Sequence, residues 1–225
     1  GMRDLEKEMQ NLLNDPEIII RVGNDANVAA AGEMYKGVAQ GYKNVVMFTI
    51  GTGVGGGIII DGKLVEGVNG SGGELGHIIV DFKHNYPCKC GKHGCLETVA
   101  SATGIVNIAK ETLIKHKNYS PLRRYESFSA KKVIDHAKAG DYISKRVMDE
   151  SMRYLALAMA TVSLTVDPAI VVIGGGVSNA GDYIVELVEK YYYEMVNPFI
   201  KKAKISVAQL GNDAGIYGCA YLVKE

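Results

Sequence analysis

Three cysteines, Cys88, Cys90 and Cys95, fall within eight residues in the spacing Cys-x-Cys-x4-Cys. Thiols this close together in a reducing compartment favour a metal site over three free thiols. A structural zinc site closes with four nitrogen or sulfur ligands, so a histidine is expected to complete the set. His77, His84 and His93 are the candidates by position. His77 follows Gly72-Gly73-Glu74-Leu75-Gly76, which places its backbone sharply, while His84 and His93 read equally as solvated loop residues. No second ligand pair follows at finger spacing. Cys219, among Gly218, Ala220 and Leu222, reads as a buried small hydrophobe.

Two glycine clusters each end an apolar run. Gly51-x-Gly53-x-x-Gly56 has the letters of a dinucleotide fingerprint, but Ile58-Ile59-Ile60 follows where that fingerprint needs a helix. Gly57-x4-Gly62-Lys63 nears a phosphate-binding P-loop, yet Leu64 replaces the hydroxyl residue that would meet magnesium. A glycine turn within a hairpin can still present backbone N–H groups to phosphate oxygens, with the Thr52 hydroxyl beside them. Gly174-Gly175-Gly176, at the end of a strand, suits the close approach of a nucleotide. Asp25, Glu74 and Glu97, taken singly, are an N-cap, a loop charge and a first-turn carboxylate.

The elements that must hold these groups alternate. The periodicity predicts an amphipathic helix over 2–13 (Met2, Leu5, Met9, Leu12, Leu13) and a strand over Ile18–Val22. A helix opens at Asn24-Asp25 and runs to about Tyr35, with Glu33 and Lys36 on its exposed side. Strands follow at Val45–Ile50 and Ile58–Ile60, turning at Asp61-Gly62 into Leu64-Val65. A helix is predicted from Glu97 into Lys115, then a polar helical excursion over 118–140 and a long helix from Asp141. A strand over Ile170–Ile173, a helix over 180–195, a strand over Ile205–Leu210 and a helix from Asp213 close the chain. Strands alternating with helices, one hairpin included, give an α/β fold with a mixed sheet.

Composition excludes several classes. At 47% hydrophobic and 22% charged, the 225 residues are ordinary for a globular chain. Lys and Arg total 25, as do Asp and Glu, so there is no basic excess to hold nucleic acid, and none is expected to bind this chain. Glycine, at 27 residues, exceeds the usual share of about 7%. The longest charge-free apolar run, Tyr154–Val166, is too short to span a bilayer, and the charged start of the chain is unlike a signal peptide. No membrane partner is expected, and the location expected is cytoplasmic.

Gly70-x-x-Gly73-Glu74-x-Gly76-His77 followed by Cys88-x-Cys90-Gly91-x-x-Gly94-Cys95-x-Glu97 resembles the signature of the ROK family of bacterial glucokinases, other hexose kinases and sugar-responsive repressors. Asn24-Asp25-Ala26-Asn27, the 51–57 turn and Gly174-Gly175-Gly176-Val177 follow in that family's order. Ala100–Ile105 and Leu210–Gly215 are similar to the glucokinase branch. The resemblance implies an actin-like ATPase, ribonuclease H-like sugar-kinase fold, a mixed sheet with flanking helices. The activity it implies is ATP-dependent phosphorylation of a hexose, glucose first. Asp25 would be the catalytic base. Asn24, Asp25, Glu74, His77 and Glu97 would bind the sugar. Gly51, Thr52, Gly53, Gly174 and Gly175 would bind ATP with Mg. His77, Cys88, Cys90 and Cys95 would hold a structural zinc.

One departure stands out. The family's kinases begin with an Asp-x-Gly-Gly-Thr hairpin that grips phosphate, and these residues contain none. The expectation is therefore a truncated first lobe. Residues 1–37 would be its remnant, 38–212 the C-terminal domain with a zinc loop at 70–97, and 213–225 a closing helix. Exposed apolar surface, a homo-oligomer and weak turnover by the chain alone are expected to follow. A sugar-sensing effector domain of a repressor is the alternative function, and a zinc-stabilised scaffold without turnover is a third.

Overall fold

A computed structural model of the protein describes residues 5–199 and 201–224. Five strands form one sheet: β1 (Val45–Ile50), β2 (Val54–Ile60), β3 (Lys63–Leu64), β4 (Ile170–Gly174) and β5 (Lys204–Val207), in the spatial order β3-β2-β1-β4-β5. Tight turns make β1–β2–β3 antiparallel, whereas β4 and β5 are reached by helical crossovers and run parallel to β1. Asp61 and Gly62 both have positive φ, as the predicted hairpin turn requires.

Side-chain alternation along β1 assigns each face. Val45 and Met47 join Ala30 and Met34 of α2 (Asp25–Lys36) on one side. Val46, Phe48 and Ile50 point the other way, into the larger core. That core is built from α3 (Glu97–Ala100), α4 (Ala102–Lys115), α5 (Ala130–Lys138), α6 (Tyr142–Val166) and α7 (Asp182–Met195). A strand covered on both faces reads as a continuous apolar run, as Val45–Ile50 does. The last helix, α8 (Ala214–Leu222), lies against α2.

Three of the glycines placed in the 51–57 turn, Gly55, Gly56 and Gly57, belong to β2 instead. A Cβ on Gly57 would meet the Ala30 Cβ at 2.6 Å, so bare backbone is what lets α2 sit down on the sheet.

Other expectations need correction. The single helix over 97–115 is two, broken at Ser101, whose extended backbone lets its Oγ accept the Gly104 N–H at 3.0 Å. The 118–140 excursion is a 3₁₀ turn (Pro121–Arg124) followed by α5. Ile18–Val22 is not a strand. Its polar groups go to side chains of α1 (Leu5–Leu13), with Gln10 donating to the Ile18 carbonyl and the Val22 N–H donating to Glu6. Met2 of the first predicted helix lies outside the described residues, and α1 buries none of its side chains. Glu33 does not decorate an exposed face; it is fully buried. Cys219 is exposed, because Ala214 and Gly218 take the inward face of α8 and Cys219 turns outward. Among the described residues no helix is long and apolar enough to cross a membrane.

Candidate functional site

The site lies at the C-terminal ends of β1 and β4, where open α/β sheets form their ligand crevices. After Ile50 the chain makes the Gly51–Gly53 turn. The Ala102 N–H at the start of α4 donates to the Gly51 carbonyl at 2.9 Å, and Thr103 Oγ1 donates to the Thr52 carbonyl at 2.9 Å. The Gly51 N–H donates to the Gly53 carbonyl. Among the described residues the N–H groups of Thr52 and Gly53 have no acceptor, which leaves two unpaired backbone donors in a fixed turn. The helix break at Ser101 thus has a use: it frees the α4 N-terminus to hold this turn.

β4 ends in the second glycine cluster. Gly175 has φ +82°, and a Cβ there would lie 2.6 Å from the Ile50 carbonyl oxygen, so only glycine fits between the two strand ends. Gly176–Ala180 then coils into a 3₁₀ turn before α7.

Two clefts flank these strand ends and share Gly176 and Asn179. One, of about 430 Å³, is lined by Thr52, Ala102, Ser129, Lys131, Gly176 and Asn179, among others. The other, of about 470 Å³, includes Asp25, Thr49, Gly175, Asn179, Gln209 and Asn212 in its wall. Asn24 is the N-cap of α2, its Oδ1 accepting the N–H groups of Ala26 at 2.9 Å and Asn27 at 3.4 Å. Asp25, the first residue of the helix, is exposed to the cleft, where the helix dipole favours negative charge.

The third part is the irregular segment 65–96. His77, Cys88, Cys90 and Cys95 have ligand atoms within 4.8 Å of one another. His77 Nδ1 lies 3.5 Å from Cys88 Sγ, and Cys90 Sγ lies 3.6 Å from Cys95 Sγ. Thiolates on a tetrahedral zinc, with Zn–S about 2.3 Å, stand about 3.8 Å apart, so this donor set fits zinc. Burial pushes the Cys88 and Cys95 thiols up, while the Lys92 N–H draws the exposed Cys90 thiol down. The remaining ring nitrogen, His77 Nε2, is turned to Glu74 Oε2 at 3.9 Å. Glu97 bridges the parts. Its Oε1 accepts from Cys88 Sγ at 2.9 Å, and its Oε2 would lie 2.7 Å from a Cβ on Gly53. A smaller cleft of about 240 Å³ lies among Thr52, Gly53, Tyr86, Lys89, Glu97 and Thr103.

The loop that carries this cluster is pinned by a residue read as either ligand or solvated. The His84 side chain is 3% exposed and sits between two carboxylates, with Nδ1 2.9 Å from Glu111 of α4 and Nε2 3.1 Å from Glu150 of α6. Tyr86 stacks on the ring and donates to Glu111, and Lys115 donates to the same carboxylate. Burial opposes ionisation of Glu111, but these donors outweigh it and hold the group down at about 2. Asp81 accepts the N–H groups of Lys83 and His84 and the Tyr154 hydroxyl, tying the loop to α6 again.

The structure brings His77, Cys88, Cys90 and Cys95 together with Glu97 against Cys88, and it sets Asp25 in the cleft of Gly175; among the described residues no hydrogen bond joins Asp25 to Glu74, His77 or Glu97. Asn27, on the same helix as Asp25, has a buried, unpartnered Oδ1 that lies 3.1 Å from where a Cβ on Gly73 would stand. The sequence reading missed the His84 clamp, Glu33 and the 207–212 wall. Of these only Glu33 leaves a local trace, a single acid directly after the small-residue run Ala29-Ala30-Ala31-Gly32.

The ROK family model matches residues 2–225. A curated glucokinase of Halalkalibacterium halodurans is 43% identical over 229 residues, covering 100% of this chain and 69% of that protein. A ROK family glucokinase of Streptomyces griseus, solved with glucose and AMPPNP, superposes with a TM-score of 0.83 at 32% identity, covering 98% of this chain and 72% of that one. A ROK family transcriptional regulator, a homologue of the E. coli MLC protein, gives 0.84 at 31% identity, covering 98% of this chain and 55% of that one. The chain spans about two-thirds of the length of the curated relatives it matches, 69% and 65% for the first two. The mixed sheet with its strand-end glycine turns has the actin-like ATPase fold of these sugar kinases. This chain belongs to the ROK family, in its hexokinase and glucokinase type.

Proposed function

We propose that the protein transfers the γ-phosphoryl group of ATP, as its Mg complex, to a hydroxyl of a hexose, with glucose the first candidate. The observation that carries this reading is the shared cleft. Asp25 opens onto the same crevice as Gly175 and Gly176, and the free N–H groups of Thr52 and Gly53 stand on the neighbouring strand end. Phosphoryl transfer is chiefly positioning and charge management, so an ordinary carboxylate beside the attacking hydroxyl suffices to accept its proton. Asp25 takes that role. Asn24, Glu74, His77 and Glu97 orient the other hydroxyls, and the turns at Gly51–Gly53 and Gly174–Gly175 hold the nucleotide. His77, Cys88, Cys90 and Cys95 would hold a structural zinc, which would brace the loop that carries Glu74 and His77 and abuts Glu97, with the second nitrogen of His77 left for the sugar. A cluster of thiols in this state belongs in a reducing compartment, the cytoplasm. The exposed apolar residues of α1 and Ile216 of α8 support self-association; a monomer by light scattering at high concentration would speak against it.

The test is calorimetry of the zinc-loaded protein with glucose, N-acetylmannosamine and fructose, with and without AMPPNP, beside an assay for hexose 6-phosphate. Saturable binding of one hexose is expected. Asp25→Asn should keep that binding and lose transfer by roughly 10²- to 10⁴-fold. These residues lack an Asp-x-Gly-Gly-Thr grip, so transfer by them alone is expected to be slow. Binding of none of the three sugars would refute the reading. A second reading, a sugar sensor that binds without transfer, has the likeness to the transcriptional regulator behind it. Hexose binding with no phosphate transfer at any nucleotide concentration would favour it.

A further inference from the structure

Glu33 is fully buried, and among the described residues no cation pairs with it. Burying a carboxylate this way is unfavourable unless hydrogen bonds replace water. Here two backbone donors do so: Oε2 accepts the Val38 N–H at 2.9 Å, and Oε1 accepts the Leu210 N–H at 2.7 Å. A Cβ on Gly37 would collide with Oε2, so the residue after α2 is bare where the carboxylate folds over it. The Glu33 carbonyl also accepts the N–H groups of Gly37 and Ala39. The end of α2 is thus wrapped around one acid whose far oxygen reaches a loop 177 residues away in sequence.

That loop walls the Asp25 cleft. Val207, Ala208, Gln209, Gly211 and Asn212 all line it, and Leu210 stands in their midst. The same helix that carries Asp25 in its first turn therefore carries the anchor of the opposite wall eight residues on, about 12 Å along a rigid rod. We propose that Glu33 is a positioning residue for nucleotide binding: it fixes the 207–212 wall to the helix bearing Asp25, and touches no substrate itself. The inference rests on the proposed nucleotide site.

Glu33→Gln keeps the shape but leaves a single acceptor oxygen for two N–H groups. Leu210→Pro removes the other partner, at a φ of −83° that proline tolerates. Each single variant is expected to speed amide exchange across 207–213 while β1 and β4 stay protected, and to weaken AMPPNP binding about tenfold with glucose binding unchanged. The double variant should bind AMPPNP no more weakly than the weaker single one, since both delete one bond. Unchanged exchange in Glu33→Gln would overturn the strut. Faster exchange with unchanged AMPPNP affinity would overturn the positioning role and leave the proposed function standing. Wild-type protein that binds neither AMPPNP nor glucose would overturn the proposed function and this inference with it.

Discussion

Asp25 stands on a helix seated by apolar contact: Ala26 and Ala30 rest on strand glycines, Met34 meets Val45 and Met47, and α8 covers the back. Glu74 and His77 stand in a loop of some thirty residues with one 3₁₀ turn and two isolated bridges. That loop is held by polar cross-links: the thiol–imidazole cluster in front, and His84 between Glu111 and Glu150 behind. Two parts of one site are thus fixed by different physics. Non-directional burial positions Asp25, whereas directional, titratable bonds position Glu74 and His77.

The sharpest way to break the comparison is to remove one donor of the His77, Cys88, Cys90 and Cys95 cluster. Cys95→Ser, or chelation, should abolish zinc binding measured by atomic absorption and cost more than about 3 kcal/mol of stability. Proteolysis and amide exchange should open 66–96 while β1 and β4 stay closed; uniform opening of both regions would show that they are not held separately. Next is Gly57→Ala, which sets a methyl against Ala30. Overpacking of this kind costs about 1–3 kcal/mol, or several degrees in Tm, and it should reduce hexose binding by displacing α2 while zinc content stays full.

A smaller, pH-dependent effect separates the clamp from the core. The pKa of Glu111 falls from 4.5 to about 2 on folding, so its contribution to stability is present above about 4.5 and is lost as pH falls toward 2. Chemical denaturation from neutral pH downward should therefore show wild type and Glu111→Gln converging in acid; parallel curves would refute the clamp. Smallest of all is Lys131→Ala, which breaks an exposed pair with Asp135. No measurable shift in Tm is expected in a melting experiment, because such pairs contribute little.

The same contrast explains what the sequence could reveal. β1 and β4 are legible because burial on both faces makes each a continuous apolar run, and the cysteine spacing is legible because all three thiols lie within one short segment. The His84 clamp was not, since its carboxylates lie 27 and 66 residues away and nothing local to His84 announces them. Glu33 was misread for a related reason: a carboxylate at a helix end looks solvated until Leu210 arrives from the far end of the chain. Ile18–Val22 failed in the opposite direction. Its composition suits a strand, but a strand also needs a neighbour, and the outer members of this sheet are β3 and β5.

Those two outer strands are built against edge-to-edge pairing. β3 is only two residues long and β5 four, and each bears a lysine, at Lys63 and Lys204. Short, cationic margins offer a poor template for edge-to-edge extension. The large apolar side chains exposed to water lie instead on helices, at Leu12, Ile114 and Ile216 among others.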